Sequence, residues 1–360
     1  MADVPVTSEM SLLTRLEFTS DNITGASPEI LAALARANEG AVASYGSDPH
    51  TAALERLAEA IFERPVAILP VATGTAANAL ALSALARPFQ GIYCHAVAHA
   101  MTDECGAPEF YTAGAKLLGL PSRDGRLRPA QLAEAVEWAR SNGVHHVQPA
   151  AVTVSQATEW GTIYTPEALA ALAAQVHELG LKVHMDGARF ANAVARLGCT
   201  PAEASWRAGV DILSLGATKN GALAAEAIVV FDSTLGAELA FRRKRGGHLW
   251  SKMRFLSVQL SAYLTDDLWL RNARHSNAMA DRLAVGLAAI PGARLVQPVE
   301  ANELFVVLPD PVTARLREHG FRFYDWPSPE GESAAVVRLV TSYDMRASDV
   351  DGFVAVATAA

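Results

Sequence analysis

The sequence predicts an α/β protein: a mostly parallel central sheet with helices on both faces, followed by a smaller α+β C-terminal domain. Three observations carry this reading. Between residues 51 and about 235, helical stretches alternate with short apolar runs, the pattern of βαβ units. From 237 to 290 the texture is long-helical. After PGARLVQP (291–298), strand and helix patterns mix in a shorter stretch.

Residues 1–50 carry turn signals, SDNITGASP (20–28) and YGSDPH (45–50), around one amphipathic helix, PEILAALARANEG (28–40). Helix TAALERLAEAIF (51–62) leads to strand VAILPV (66–71), helix TAANALALSALA (75–86) and strand GIYCH (91–95). Strand HVQPAAVTVS (146–155), helix PEALAALAAQVHELG (166–180), strand KVHMD (182–186) and helix ARFANAVARLG (188–198) follow. Strands DILSLGA (211–217) and EAIVVF (226–231) close the alternating region. The long helices include the basic stretch FRRKRGG (241–247). The last part reads as strand ELFVVLP (303–309), helix PVTARLREHG (311–320), strands RFYDW (322–326) and AVVRLVTS (335–342), and a terminal helix. The expected division is an N-terminal segment 1–50, a large domain 51–250 and a small domain 251–360.

Composition narrows the function. The chain has 360 residues, beyond the size at which a single core stops growing, which favours two domains. Hydrophobic residues make up 51% and charged residues 19%, which suits a well-buried enzyme. The net charge is −8, and no basic stripe of the kind that binds nucleic acid is present. The N-terminus lacks the basic and apolar regions of a signal peptide. No apolar run approaches the roughly 18–20 residues of a membrane span. Cys94, Cys105 and Cys199 show no CxxC spacing and read as free thiols in a reducing cytoplasm.

The chemistry begins at LSLGATKNG (213–221), which brings Lys219 to the end of an apolar strand among small residues. A solvated loop lysine needs no such setting. A lysine that attacks a carbonyl does. In VHMDGARF (183–190), Asp186 ends another strand. Two readings fit it: the N-cap of the following helix, or a buried carboxylate holding a cation. Arg189, in the first helical turn, is mildly disfavoured by the helix dipole, so an anion should repay it. Together, Lys219 and Asp186 are the pair that pyridoxal phosphate needs. The lysine forms a Schiff base with the aldehyde, and the carboxylate keeps the ring nitrogen protonated.

The cofactor's phosphate has a candidate cradle in PVATGTAANAL (70–80), where a strand ends and a helix opens at Gly74, Thr75 and Ala76. Thr218 adds a hydroxyl. In HAVAHAMTDECGAPEF (95–110), His95 and His99 are four apart and would share a helical face. With Asp103 and Glu104 they suggest a metal cluster, two packed histidines, or one imidazole stacked on a cofactor ring. Arg338, inside the apolar strand AVVRLVTS, is either an internal ion pair or the grip for a substrate carboxylate.

In order along the chain, FTSDNITG, SYGSDP, TGTAAN, AHAMTDECGAPE, HMDGARFANA, GATKNG and VRLVTS resemble the low-specificity L-threonine aldolases. These are fold-type-I pyridoxal phosphate enzymes of the beta-eliminating lyase group. The resemblance runs from about residue 16 to near the C-terminus and is strongest to a bacterial branch. It implies a fold-type-I PLP-dependent transferase-like fold and cleavage of β-hydroxy-α-amino acids to glycine and an aldehyde. By resemblance, Lys219 carries the cofactor, Asp186 binds its ring nitrogen, and His99 stacks on its ring. Gly74, Thr75 and Ala76 with Thr218 hold the phosphate. Arg189 lies near the cofactor and the substrate carboxylate, which Ser20 and Arg338 bind. Tyr45 reaches in from a neighbouring subunit of a homotetramer, and Lys244 approaches the phosphate of the adjacent site. No metal is implied.

One stretch departs from the family. Where many members carry a histidine in a THNG-like turn near the substrate hydroxyl, this chain has ATEWG (157–161), with Glu159 in that place. Other readings remain open at this point: an aldolase for aryl substrates such as phenylserine, a pyridoxal β-eliminating lyase, or a non-catalytic pyridoxal-binding scaffold. A metal-dependent hydrolase using His95, His99, Asp103 and the HMD of 184–186 is a further reading.

Overall fold

The computed structural model describes residues 15–329 and 332–359. The first fourteen residues, on which the signal-peptide reading and part of the 1–50 segment rest, lie outside the described residues.

Seven strands form the large sheet: β1 (Ala67–Val71), β2 (Gln90–His95), β3 (Lys116–Leu120), β4 (Gln148–Ser155), β5 (Lys182–Gly187), β6 (Ile212–Leu215) and β7 (Glu226–Val230). Their order is β1-β7-β6-β5-β4-β2-β3, parallel except for β7, which runs antiparallel to both neighbours. A smaller antiparallel sheet contains β8 (Arg294–Leu295), β9 (Glu303–Val307), β10 (Tyr324–Trp326) and β11 (Val336–Val340), in the order β10-β11-β9-β8. The strand β3 has no counterpart in the sequence reading. It is a short edge strand that carries Gly119, where a Cβ would meet Ala96 Cα at 2.9 Å.

The helices are α1 (Pro28–Ala37), α2 (Pro49–Phe62), α3 (Gly74–Ser83), α4 (His99–Thr102), α5 (Ala107–Tyr111), α6 (Pro129–Ser141) and α7 (Pro166–Glu178). They continue with α8 (Phe190–Leu197), α9 (Gly236–Arg245), α10 (Arg254–Leu264), α11 (Leu268–Leu287), α12 (Asp310–Glu318) and α13 (Ala347–Thr358). In α2, Asp48 caps the first turn by accepting from His50 N and Thr51 N, while Leu54, Ala58 and Phe62 form the buried stripe. Each large side chain in such a stripe contributes roughly 1.5–3 kcal/mol by leaving water. None of the described helices is long and apolar enough to cross a membrane.

One core cluster joins α2, α7, α8 and α10 to the sheet, and α3 covers the other side of β1, β6 and β7. Residues 253–273 pack into the large core. The small sheet packs against α11, α12 and α13, and Phe18 from the N-terminal segment completes that core. Backbone hydrogen bonds bind Phe18 to Arg322 and Val340.

Two glycines bring β5 and β6 close at their carboxyl ends. A Cβ on Gly216 would meet Ala188 O at 2.5 Å, and one on Gly187 would meet Ser214 O at 2.7 Å. Backbone contacts this close leave no room for any side chain. They set the spacing between the residues that follow the two strands.

Candidate active site

Five chain segments leave the large sheet at the same edge, the carboxyl ends of its parallel strands, where such sheets bind ligands. Gly74 and Thr75 follow β1, His99 follows β2, Glu159 follows β4, Asp186 lies in β5, and Lys219 sits in the turn after β6. All of them line a cavity of about 320 Å³, closed from the small-domain side by Glu303, Tyr324, Trp326 and Arg338 and by Ser20 and Asn22. An adjoining pocket of about 490 Å³ shares Lys219, Asp186, Gly74 and Thr75, and reaches Thr218 and Glu226.

Lys219 has no hydrogen-bond or ion-pair partner among the described residues. Its turn is anchored from beneath: buried Glu226 accepts the Ala217 N–H at 2.7 Å, and Asn220 donates to Tyr263 Oη and Trp269 O. Asp186 is not the cap of α8. Its Oδ1 accepts from Ala188 N at 3.0 Å and its Oδ2 from Asn78 Nδ2 at 2.8 Å. It is a buried carboxylate at a strand end, and its hydrogen-bond partners among the described residues are these neutral donors, not the cation of the second reading.

The phosphate cradle is built as a helix N-terminus. Thr73 caps α3, its hydroxyl accepting from Ala76 N at 3.1 Å. Gly74 and Thr75, in the first turn, have N–H groups with no intrahelical partner. A Cβ on Gly74 would meet nothing within 4 Å, so this wall is open to a ligand. Ala76 departs from the expectation: it is buried and its N–H is already used by Thr73, because the cap takes that donor.

Arg189 finds the anions that its position calls for. Its Nε and Nη2 lie 2.8 and 3.0 Å from the two oxygens of Asp21, and Nη1 lies 3.2 Å from Glu303 Oε2. Burial opposes ionisation of Asp21, but Arg189 and Lys219 hold its carboxyl below the usual range. Arg338 forms the internal ion pair of its first reading. It grips Glu303 Oε1 with Nε (3.0 Å) and Nη2 (2.6 Å), stacks 4.8 Å over the Trp326 ring, and lines the cavity.

His99 and Glu159 lie together. Glu159 Oε1 accepts from His99 N at 2.9 Å and from Ser155 Oγ at 2.6 Å, while its Oε2 is buried without a partner. Burial pushes the Glu159 carboxyl up to about 7. The His99 ring places Nδ1 3.0 Å from Glu104 Oε1, and that bond raises its pKa despite burial.

The pairing of His95 with His99 on one helical face does not occur. His95 ends β2, and its ring turns to Ser122, whose N–H and carbonyl lie 2.9 and 3.1 Å from Nε2. His184 is buried between Thr153 Oγ1 and Ser214 Oγ. The histidines of the metal reading therefore face different partners, and no group of three or more metal-ligating side chains converges among the described residues. Tyr45 and Lys244 do not reach the cavity of their own chain. Tyr45 is exposed, and Lys244 Nζ lies 4.5 Å over its ring. Asp21, Asn78, Glu226 and Glu303 were not singled out in the sequence. Asn78 alone had a local signal, one helical turn after Gly74.

A free lysine and a buried carboxylate on adjacent strand ends, beside an anion-binding helix terminus, define a pyridoxal phosphate enzyme built on a mostly parallel sheet. The model of the family "Beta-eliminating lyase" matches residues 17–311, and the chain belongs to that family. It is 44% identical over 328 residues to a low specificity L-threonine aldolase of a Pseudomonas species, covering 91% of this chain and 93% of the relative. It is 45% identical, with the same coverage, to the low specificity L-threonine aldolase of Pseudomonas aeruginosa. The solved threonine aldolase of Leishmania major superposes with a TM-score of 0.88 at 33% identity, covering 95% of this chain and 98% of that one. The chain is thus a lyase with a fold-type-I architecture, and its cofactor is pyridoxal phosphate.

Proposed function

We propose that this chain cleaves L-threonine, L-allo-threonine and related β-hydroxy-α-amino acids to glycine and an aldehyde. The reading is supported above all by one observation: Glu159, whose Oε2 is buried without a partner, lines the cavity that Lys219 and Arg338 also line. When bound, pyridoxal phosphate supplies an electron sink for the carbon whose bond to its neighbour breaks.

The chain's own residues do the rest. Lys219 would carry the cofactor, Asp186 would hold its ring nitrogen, and the Gly74–Thr75 turn with Thr218 would take its phosphate. His99 would shield the ring. Arg338 and Ser20 fix the substrate carboxylate, so that the breaking Cα–Cβ bond is held in one orientation. Glu159 Oε2 receives the β-hydroxyl proton as the carbonyl of the departing aldehyde forms. A carboxyl near 7 is matched to that task at neutral pH.

Tyr45 and Lys244 serve the site of a neighbouring subunit in a homotetramer built as a dimer of dimers. Their shared surface position, away from their own cavity, supports this. The free thiols support a cytoplasmic setting. Product analysis tests the central reading. With L-threonine, equal amounts of glycine and acetaldehyde are expected. Ammonia with a keto acid would replace it with β-elimination, and cleavage of phenylserine alone would assign an aryl-specific aldolase.

A further inference from the structure

Asp186, Asn78, Glu104 and His99 form one continuous hydrogen-bonded line. Asn78 Nδ2 lies 2.8 Å from Asp186 Oδ2 and 2.8 Å from Glu104 Oε1. The same Glu104 oxygen lies 3.0 Å from His99 Nδ1. Glu104 has a side chain with no solvent exposure, and its Oε2 has no partner. A buried carboxylate of this kind is costly unless it is used. The metal cluster suggested for it does not form among the described residues, and the aldolase reading leaves it without a role.

The geometry points to Glu104 as a positioning residue for His99, one that fixes the imidazole as the Nδ1–H tautomer and is tied through Asn78 to the carboxylate of Asp186. The inference rests on the pyridoxal reading of this site. Its logic is donor counting. Both bonds of Asn78 come from its NH2 group, which only donates, so Glu104 Oε1 accepts one of them. An ionised Glu104 is acceptor-only, so the imidazole donates to it from Nδ1, which leaves Nε2 as the ring nitrogen with no partner among the described residues. The amide also holds two carboxylates near each other, so the charge on one is felt by the other.

The charged groups around His99 are Glu104 and Asp103 from its own segment, Asp186 from β5, Lys219 after β6 and Glu159 after β4. The Glu104 hydrogen bond is the largest influence raising the basicity of His99. In Glu104→Gln the amide oxygen can keep the bonds to Asn78 and His99 while the charge is lost. His99 should then titrate lower by about one pH unit, the size of effect that a close opposite charge exerts. In Asn78→Ala the tie to Asp186 is cut and the ring is held less firmly.

The test is nitrogen-15 NMR of the histidine rings in the holoenzyme, titrated with pH, with His99→Asn used to assign the signal. Wild type should show His99 with its proton on Nδ1 when neutral. Glu104→Gln should keep that tautomer and shift the midpoint down by about one unit, with the acid limb of kcat/KM moving with it. A wild-type His99 protonated on Nε2 would overturn the inference without any variant. So would a Glu104→Gln midpoint unchanged in a protein with normal cofactor content. The ring titration reads His99 whether or not threonine is cleaved. A failed product assay therefore counts against the aldolase reading and not against this one.

Discussion

Replacing Glu159 with glutamine should stabilise the protein, and only above a defined pH. The Glu159 carboxyl is raised from 4.5 to about 7, chiefly by burial. A raised carboxyl binds its proton more tightly folded than unfolded. Between pH 4.5 and about 7 the folded state therefore holds more protons, and stability falls as pH rises. At about 1.4 kcal/mol per pH unit, the cost reaches roughly 3 kcal/mol above pH 7 and vanishes below 4.5. Glutamine keeps the acceptor for Ser155 Oγ and His99 N and carries no charge. The assay is urea unfolding of the cofactor-free protein, wild type against Glu159→Gln, at pH 5 and pH 8. The variant should be more stable by up to about 3 kcal/mol at pH 8 and nearly equal at pH 5. An equal gain at both pH values, or a loss at pH 8, would refute the reasoning. The same variant should lose activity about a hundredfold or more if Oε2 takes the hydroxyl proton.

Other changes separate the roles of the remaining residues. Lys219→Ala should abolish turnover and the borohydride-sensitive visible absorbance, while leaving the thermal midpoint of the cofactor-free chain close to wild type. Arg338→Ala should raise KM for the amino acid about tenfold to a hundredfold with a smaller effect on kcat, the worth of a charged hydrogen-bonding group; steady-state kinetics with L-threonine reads it. Gly216→Ala forces a Cβ to 2.5 Å from Ala188 O, so the strand ends must part. A stability loss of about 1–3 kcal/mol, with weakened pyridoxal phosphate binding by fluorescence titration, is expected. Asp21→Asn removes one of the two carboxylates on a buried guanidinium and should cost about 3 kcal/mol or more in urea unfolding.

The features that the sequence determined by itself are local ones. Apolar runs ending in small residues mark β5, β6 and their turns, and GTAAN after a strand marks the start of α3, because strand ends, caps and glycine turns depend on neighbours a few residues away. Lys219, Asp186, Gly74 and Thr75 were legible for that reason, His99 and Arg338 through the order of motifs and Glu159 as a departure from it; all seven line one cavity. Helix α6 has no counterpart in the sequence reading, although Leu132, Val136 and Ala139 form its buried stripe at helical spacing. Edge strand β3 has none either, because one interior glycine breaks its pattern.

Only the tertiary structure decided which charges meet. Arg189 is held by Asp21 across 168 residues of sequence, and Arg338 shares Glu303 with it. Asn78 lies 108 residues from the Asp186 it bonds. His95 and His99 look equivalent as letters four apart, yet the strand that ends at His95 sends its ring toward Ser122 and leaves His99 to the cavity. Such pairings have no local signature. They arise because parallel strands bring their carboxyl ends to one edge, and the small domain then lays its own carboxylate and arginine against that edge.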